Sequence, residues 1–143
     1  MSETTDIDAT IVAELIAVRD RAYAPYSRHP VGALVESESG RRYPGANVEV
    51  AHYKGLCAEA SAIAAMASAG ERQLRHVYVI GPGAHLCTPC GDCRQRIREF
   101  ATPDTLIHVV DAQGRLLKRY RIEQLLPDAF GPENLPRQEN PLR

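Results

Sequence analysis

The stretch Cys57-Ala-Glu-Ala-Ser-Ala-Ile-Ala-Ala-Met-Ala-Ser-Ala-Gly70 decides how the rest of the chain reads. Alanine costs the least of any residue in a helix, the run is small and apolar on almost every side, and Gly70 suits a helix C-terminus. The stretch therefore predicts a helix buried all round. Glu59 breaks the pattern. A carboxylate inside such a helix costs burial energy without an evident structural return, unless it works as an acid or base.

Downstream lies Cys87-Thr-Pro-Cys90-Gly-Asp-Cys93. Pro89 precedes a cysteine pair that opens a second helical pattern over residues 90–100, and Cys57 opens the first helix in the same way. Unpaired amides and the positive end of the dipole favour thiolates at both helix starts. Three thiolates from Cys57, Cys90 and Cys93 would leave a tetrahedral zinc ion with one position for water, as hydrolysis requires. Two other readings compete. A closed structural site would use Cys87 as the fourth ligand, and the Cys87, Cys90, Cys93 spacing matches part of an iron–sulfur run. The distant Cys57, paired with Glu59, favours the open zinc site, with Cys87 a packed thiol nearby. Glu59 could alternatively be a buried ion-pair partner of an arginine such as Arg94.

Around this centre, Asp8 is placed to cap a helix whose apolar residues Ile11, Val12, Leu15, Ile16 and Val18 recur at helical spacing, ending near Ala22. Residues 31–36 and 43–50 read as strands of a hairpin turning at Ser39-Gly40, and residues 76–80, 106–110 and 116–121 as three more. The link between the last two strands is too short for a parallel crossover, so they should be antiparallel. The order helix, two strands, helix, strand, helix, two strands predicts a mixed five-stranded sheet layered with helices. Residues 1–6 are expected to fray, and residues 127–143, rich in proline and polar groups, to form an extended arm.

A chain of 143 residues supports one domain with one core. Its net charge of -1 offers no field for a phosphate backbone, which speaks against a nucleic-acid partner. No apolar run approaches the roughly 20 residues that span a bilayer, so a cytoplasmic protein without a membrane partner is expected. The five histidines, His52 and His85 among them, read as solvated or hydrogen-bonded bystanders, His29 apart.

Six segments in order resemble the free-nucleoside cytidine deaminase family: Ala24-Pro-Tyr-Ser27, Val31-Gly-Ala-Leu34, Gly45-Ala-Asn-Val-Glu49, Cys57-Ala-Glu59, Pro89-Cys-Gly-Asp-Cys-Arg-Gln95 and the stretch from Leu125 to Leu135. A Cys-x-Glu followed by Pro-Cys-x-x-Cys is a signature already known for zinc deaminases. The resemblance implies a three-layer α/β/α fold, one zinc per chain, and a homotetramer with sites shared between subunits. It further implies attack of water at C4 of cytosine, Glu59 protonating N3 and the leaving ammonia, and uridine as product. Asn47 and Glu49 would bind the ribose hydroxyls, and Phe130 would stack on the base in a neighbour's site. Without the resemblance, Asn47 and Glu49 read as strand-end turn residues and Phe130 as a docking residue.

Three positions depart from the family pattern. Ala60 replaces the arginine that usually follows Cys-Ala-Glu, so helix dipoles and Arg94 or Arg96 must offset the thiolate charge. His29 replaces a phenylalanine that lines the nucleoside pocket, and Val50 an asparagine. Blasticidin-type deaminases also lack the arginine, which makes a modified cytosine nucleoside the alternative substrate. A catalytically weak, zinc-stabilised binding protein is the alternative of a different class.

Overall fold

The computed structural model describes residues 6–136; the remainder of the expected frayed N-terminus and of the extended arm lies outside the described residues. The elements run α1 (Ala9–Arg19), β1 (Gly32–Ser37), β2 (Arg42–Ala46), α2 (Ala58–Ser68), β3 (Leu74–Ile80), α3 (Gly91–Phe100), β4 (Ala101–Val110), β5 (Leu116–Tyr120) and α4 (Ile122–Leu125), with a 3₁₀ turn at Pro132–Asn134. The strands form one sheet ordered β2-β1-β3-β4-β5. β3 and β4 are parallel, joined through α3, and the other neighbours are antiparallel, β4 and β5 included.

Two apolar clusters make the layers. On one face α1 packs Ile11 and Leu15 against Leu34, Tyr78, Ile80 and Val110. On the other, α2 and α3 pack Ala58, Ala62, Ile63, Met66 and Ile97 against Val35, Val77, Val79, Ile107 and Val109. Alternate residues of β3 serve opposite faces, as a pleated strand requires. The arrangement is the expected three-layer α/β/α fold with a mixed five-stranded sheet.

Several boundaries differ from expectation. Asp8 caps α1 through a 2.8 Å bond from the Thr10 amide, but the helix ends at Arg19, because the amides of Arg21 and Ala22 turn to carbonyls three residues back. β2 stops at Ala46. The next residues leave the sheet when Val48 bridges to Tyr23 on one side and Leu56 on the other. β4 starts at Ala101, where a register shift and the Thr105 hydroxyl, donating to the Leu74 carbonyl, carry the strand past Pro103. Helix α2 is not buried all round: Ala64 and Ala65 face outward.

Gly45 sets how closely α2 sits on the sheet. A Cβ there would stand 2.4 Å from the Ala62 amide nitrogen and 2.5 Å from the Ala58 carbonyl oxygen. Gly45→Ala must therefore push back the helix that carries Cys57 and Glu59. A stability loss of about 1–3 kcal/mol is expected, in line with overpacking elsewhere. An unchanged urea midpoint would mean that α2 does not rest on β2 in this way.

The α1-side face also holds a polar line. Arg119 Nε donates to His108 Nδ1 at 2.9 Å, so His108 carries its proton on Nε2 and donates to His76 Nδ1 at 3.0 Å. Tyr78 stacks on the His108 ring at 4.5 Å. Burial first, then the Arg119 and His76 charges, push His108 down to about 3 from 6.5. The folded protein thus refuses a proton that the unfolded chain accepts, and stability falls as pH drops from about 6.5 towards 3. By pH 5 the loss attributable to His108 should reach about 2 kcal/mol. His108→Gln, which keeps an acceptor for Arg119, should flatten the fall in urea midpoint between pH 7.5 and pH 5; parallel curves for parent and variant would remove His108 as its source.

Candidate metal centre and catalytic site

Cys57 is the N-cap residue of α2 and Cys90 that of α3, with Cys93 one turn further along α3. Neither helix start has a side-chain cap, so first-turn amides remain for sulfur to accept. The α2–α3 packing brings the two starts together. The three sulfurs lie within 4.8 Å of one another, and Cys57 Sγ is 3.7 Å from Cys90 Sγ. Tetrahedral zinc, with Zn–S bonds of about 2.3 Å, places its sulfurs about 3.8 Å apart, so the donor set fits the ion. Burial pushes the Cys57 thiol up to about 11 and raises Cys93 as well, so a cation must take the place of the protons for these sulfurs to act as thiolates.

Glu59 sits in the first turn of α2 with 4% of its surface exposed. Burial raises its carboxyl above the ordinary carboxylate range, partly countered by a backbone hydrogen bond. The ion pair with Arg94 is not formed. The Arg94 guanidinium donates instead to the carbonyls of Pro89 and Leu125, each at 2.8 Å, and to the Thr88 hydroxyl. Arg96 pairs with Asp92 one turn back. Both arginines expected to offset the thiolate charge are therefore engaged elsewhere, because Arg94 is needed to tie the cysteine-bearing loop to the end of α4. The two helix starts remain as the visible compensation.

The other candidates occupy an adjoining loop layer. Asn47 Nδ2 donates to the His29 carbonyl at 3.0 Å, while its Oδ1 accepts from the Val31 amide at 2.9 Å. Glu49 accepts from the amides of Tyr26 and Ser27 and from the Ser27 hydroxyl, and these bonds hold its carboxyl below the usual range. Both side chains thus fix residues 26–31. Ser27 Oγ in turn accepts from the His29 amide. The structural importance of Ser27 escaped the sequence reading, although its place in Ala24-Pro-Tyr-Ser27 was a signal. The His29 ring reaches Cys87, Nε2 to Sγ 3.8 Å, and lies beside His85. The Cys87 thiol is raised first by burial and then by the charge of Glu59, and its sulfur is not one of the three that cluster. Phe130 stands 58% exposed on the segment after α4.

Residues 5–109 match the model of the cytidine and deoxycytidylate deaminase zinc-binding region. The chain belongs to this deaminase family. A cytidine deaminase of Sporosarcina psychrophila is 35% identical over 126 residues, covering 87% of this chain and 92% of that one. One from Mycobacterium tuberculosis is 39% identical over 118 residues, covering 82% and 84%. The crystal structure of a Burkholderia pseudomallei cytidine deaminase superposes with a TM-score of 0.80 at 34% identity, over 87% of this chain and 99% of that chain. Family membership, with a donor set that fits zinc, makes this a zinc-binding deaminase domain. It also disposes of the iron–sulfur reading.

Proposed function

We propose that the protein hydrolyses the exocyclic amine of cytidine or 2'-deoxycytidine, giving uridine or 2'-deoxyuridine and ammonia, as a single-domain enzyme of pyrimidine salvage. One observation carries this reading: a buried carboxyl, Glu59, in the first turn of the helix whose N-cap cysteine belongs to a three-sulfur cluster. A purely structural zinc site has no use for that carboxyl, which argues against the catalytically weak binding protein. Relatives bearing the name cytidine deaminase over most of their length support the substrate class.

Cys57, Cys90 and Cys93 hold one zinc ion per chain. When bound, the metal supplies Lewis acidity that lowers the pKa of water to the physiological range. Glu59 takes one proton from the attacking water and delivers it to N3 of the cytosine ring, then takes the second from the oxygen newly bonded to C4 and delivers it to the amine as the C4–N bond breaks. Its raised pKa and dry surroundings suit both directions of transfer. Asn47 and Glu49, while fixing residues 26–31, offer their remaining hydrogen-bond capacity to the ribose hydroxyls. His29 lines the nucleoside cavity, and Phe130 stacks on the base in a neighbouring copy.

The working form is a homotetramer with shared sites. Support comes from apolar surface that a lone chain leaves open. Tyr23, Tyr26, Val48, Tyr53 and Leu56 are exposed beside the site, and a groove of about 400 Å³ between α2 and α3 has an apolar wall of Ala60, Ile63, Ala64 and Ala67 on α2 facing a mainly polar and charged wall on α3. The outward alanines of α2 then become interface. Four free cysteines around a metal centre fit a reducing, cytoplasmic setting. A net charge of -1 argues against a nucleic-acid partner, and no described helix is long and apolar enough to cross a membrane.

A modified cytosine nucleoside is the second reading, favoured by the polar His29–Cys87 contact where the family pattern has phenylalanine. Ammonia release from cytidine, deoxycytidine and modified cytosine nucleosides separates the two. Cytidine and deoxycytidine should be turned over most efficiently, with His29→Phe preserving or raising cytidine turnover. A parent that prefers a modified nucleoside, and loses that preference in His29→Phe, would establish the second reading.

A further inference from the structure

Helix α3 does more than carry two of the cysteines. Its Gln95 Nε2 donates to the carbonyl oxygen of Phe130 at 2.8 Å. One turn further, Arg98 Nη2 donates to both carboxylate oxygens of Glu133 at 2.8 Å each. Between these two anchors Gly131 passes so close that a Cβ there would lie 2.2 Å from Glu133 Oε1 and 2.9 Å from the Arg98 guanidinium. The Gly131 amide is closed off by Asn134 Oδ1 at 2.9 Å. The segment is thus tied to α3 at the Phe130 carbonyl and again three residues further on at Glu133, yet Phe130 is 58% exposed. A segment merely docking its aromatic would bury the ring; here the backbone is bonded to α3 and the residue is left mostly exposed.

We propose that Gln95 and the Arg98–Glu133 pair form a latch that holds Phe130 projecting from α3, so that it enters the nucleoside cavity of a second copy in a fixed pose. This rests on the reading that Phe130 serves a neighbour's site. The latch adds positioning residues, which touch no substrate and act only through the Phe130 backbone. Fixing the segment before binding removes an ordering cost that a loose segment would incur at each encounter with nucleoside. Because the same helix presents Cys90 and Cys93 at its start, α3 links a chain's own metal centre rigidly to the aromatic it lends. Both anchors are exposed, with bonds of 2.8 Å, so each contributes little stability by itself and they act together on one segment.

The test uses steady-state kinetics with cytidine on zinc-loaded, full-length enzyme, with zinc content and sedimentation recorded for each variant. Phe130→Ala should raise KM about fivefold, the scale of losing one aromatic stack. Gln95→Ala and Arg98→Glu should each raise KM about two- to fivefold with kcat, zinc and assembly unchanged, and should add nothing when combined with Phe130→Ala, as residues acting through one another do. The charge swap Arg98→Glu with Glu133→Arg should recover most of the KM lost in Arg98→Glu. If Phe130→Ala raises KM while both latch variants keep the parent value, or if their effects add to that of Phe130→Ala, the latch is wrong and the shared-site reading stands. If Phe130→Ala itself leaves KM unchanged, both are overturned.

Discussion

Glu59→Gln should leave zinc content and fold intact while lowering turnover of cytidine by at least about a hundredfold, the scale of losing a general acid–base. The amide matches the carboxyl in shape and accepts hydrogen bonds, but it cannot take a proton from water or return one to the leaving amine. Structural readings of Glu59 predict otherwise. A carboxylate buried to 4% exposure and paired with arginine would destabilise the protein when neutralised, because the partner charge would be stranded. Arg94 is committed to Pro89, Leu125 and Thr88, so no such partner is left behind. An uncharged side chain is also cheaper to bury than a carboxylate. Thermal stability should therefore hold or rise as activity collapses. Turnover within a few-fold of the parent would reject the proton-transfer role.

Cys90→Ala should empty the metal centre. The purified parent should contain about one zinc per chain, and the variant close to none, because two thiolates from different helices hold the ion far less well than three. Cys90 is the exposed member of the trio, while Cys93 is fully buried beside Ile97. Removing the Cys90 sulfur thus leaves the α3 core contacts in place. Deaminase activity should disappear while far-UV circular dichroism still reports α2 and α3. A variant that keeps its zinc, or a brown parent containing iron, would overturn the ligand assignment.

The parts legible in the sequence were those with local causes. Asp8 precedes an apolar period of helical spacing, Ser39-Gly40 separates two apolar runs, and Cys57 and Cys90 sit where a helix must begin. What could not be read depends on distant partners. β2 ends at Ala46 because Val48 finds Tyr23 and Leu56, neither of which is near in sequence to the strand. Thr102-Pro103-Asp104 looks like a loop, and becomes strand because Thr105 reaches Leu74. In α2, alanine on every side carries no periodic signal, so the outward face of Ala64 and Ala65 was invisible. At the site, the three cysteines and Glu59 stood out by type and spacing. Asn47 and Glu49 did not, since both strand-end turns and sugar binding call for the same side chains, and the structure employs them in holding residues 26–31. The engagement of Arg94 with the end of α4 was equally hidden, because nothing local links residues so far apart in the chain.

Hydrolysis at the three-sulfur centre with Glu59 as the proton carrier is tested most directly by product stoichiometry. Zinc-loaded parent protein incubated with cytidine should release uridine and ammonia in equal amounts. The yield should vanish when zinc is removed by chelation, return when zinc is restored, and fall by at least about a hundredfold in rate in zinc-loaded Glu59→Gln. Ammonia without uridine, turnover that survives complete removal of zinc, or no turnover of cytidine or deoxycytidine by the fully zinc-loaded parent would contradict it.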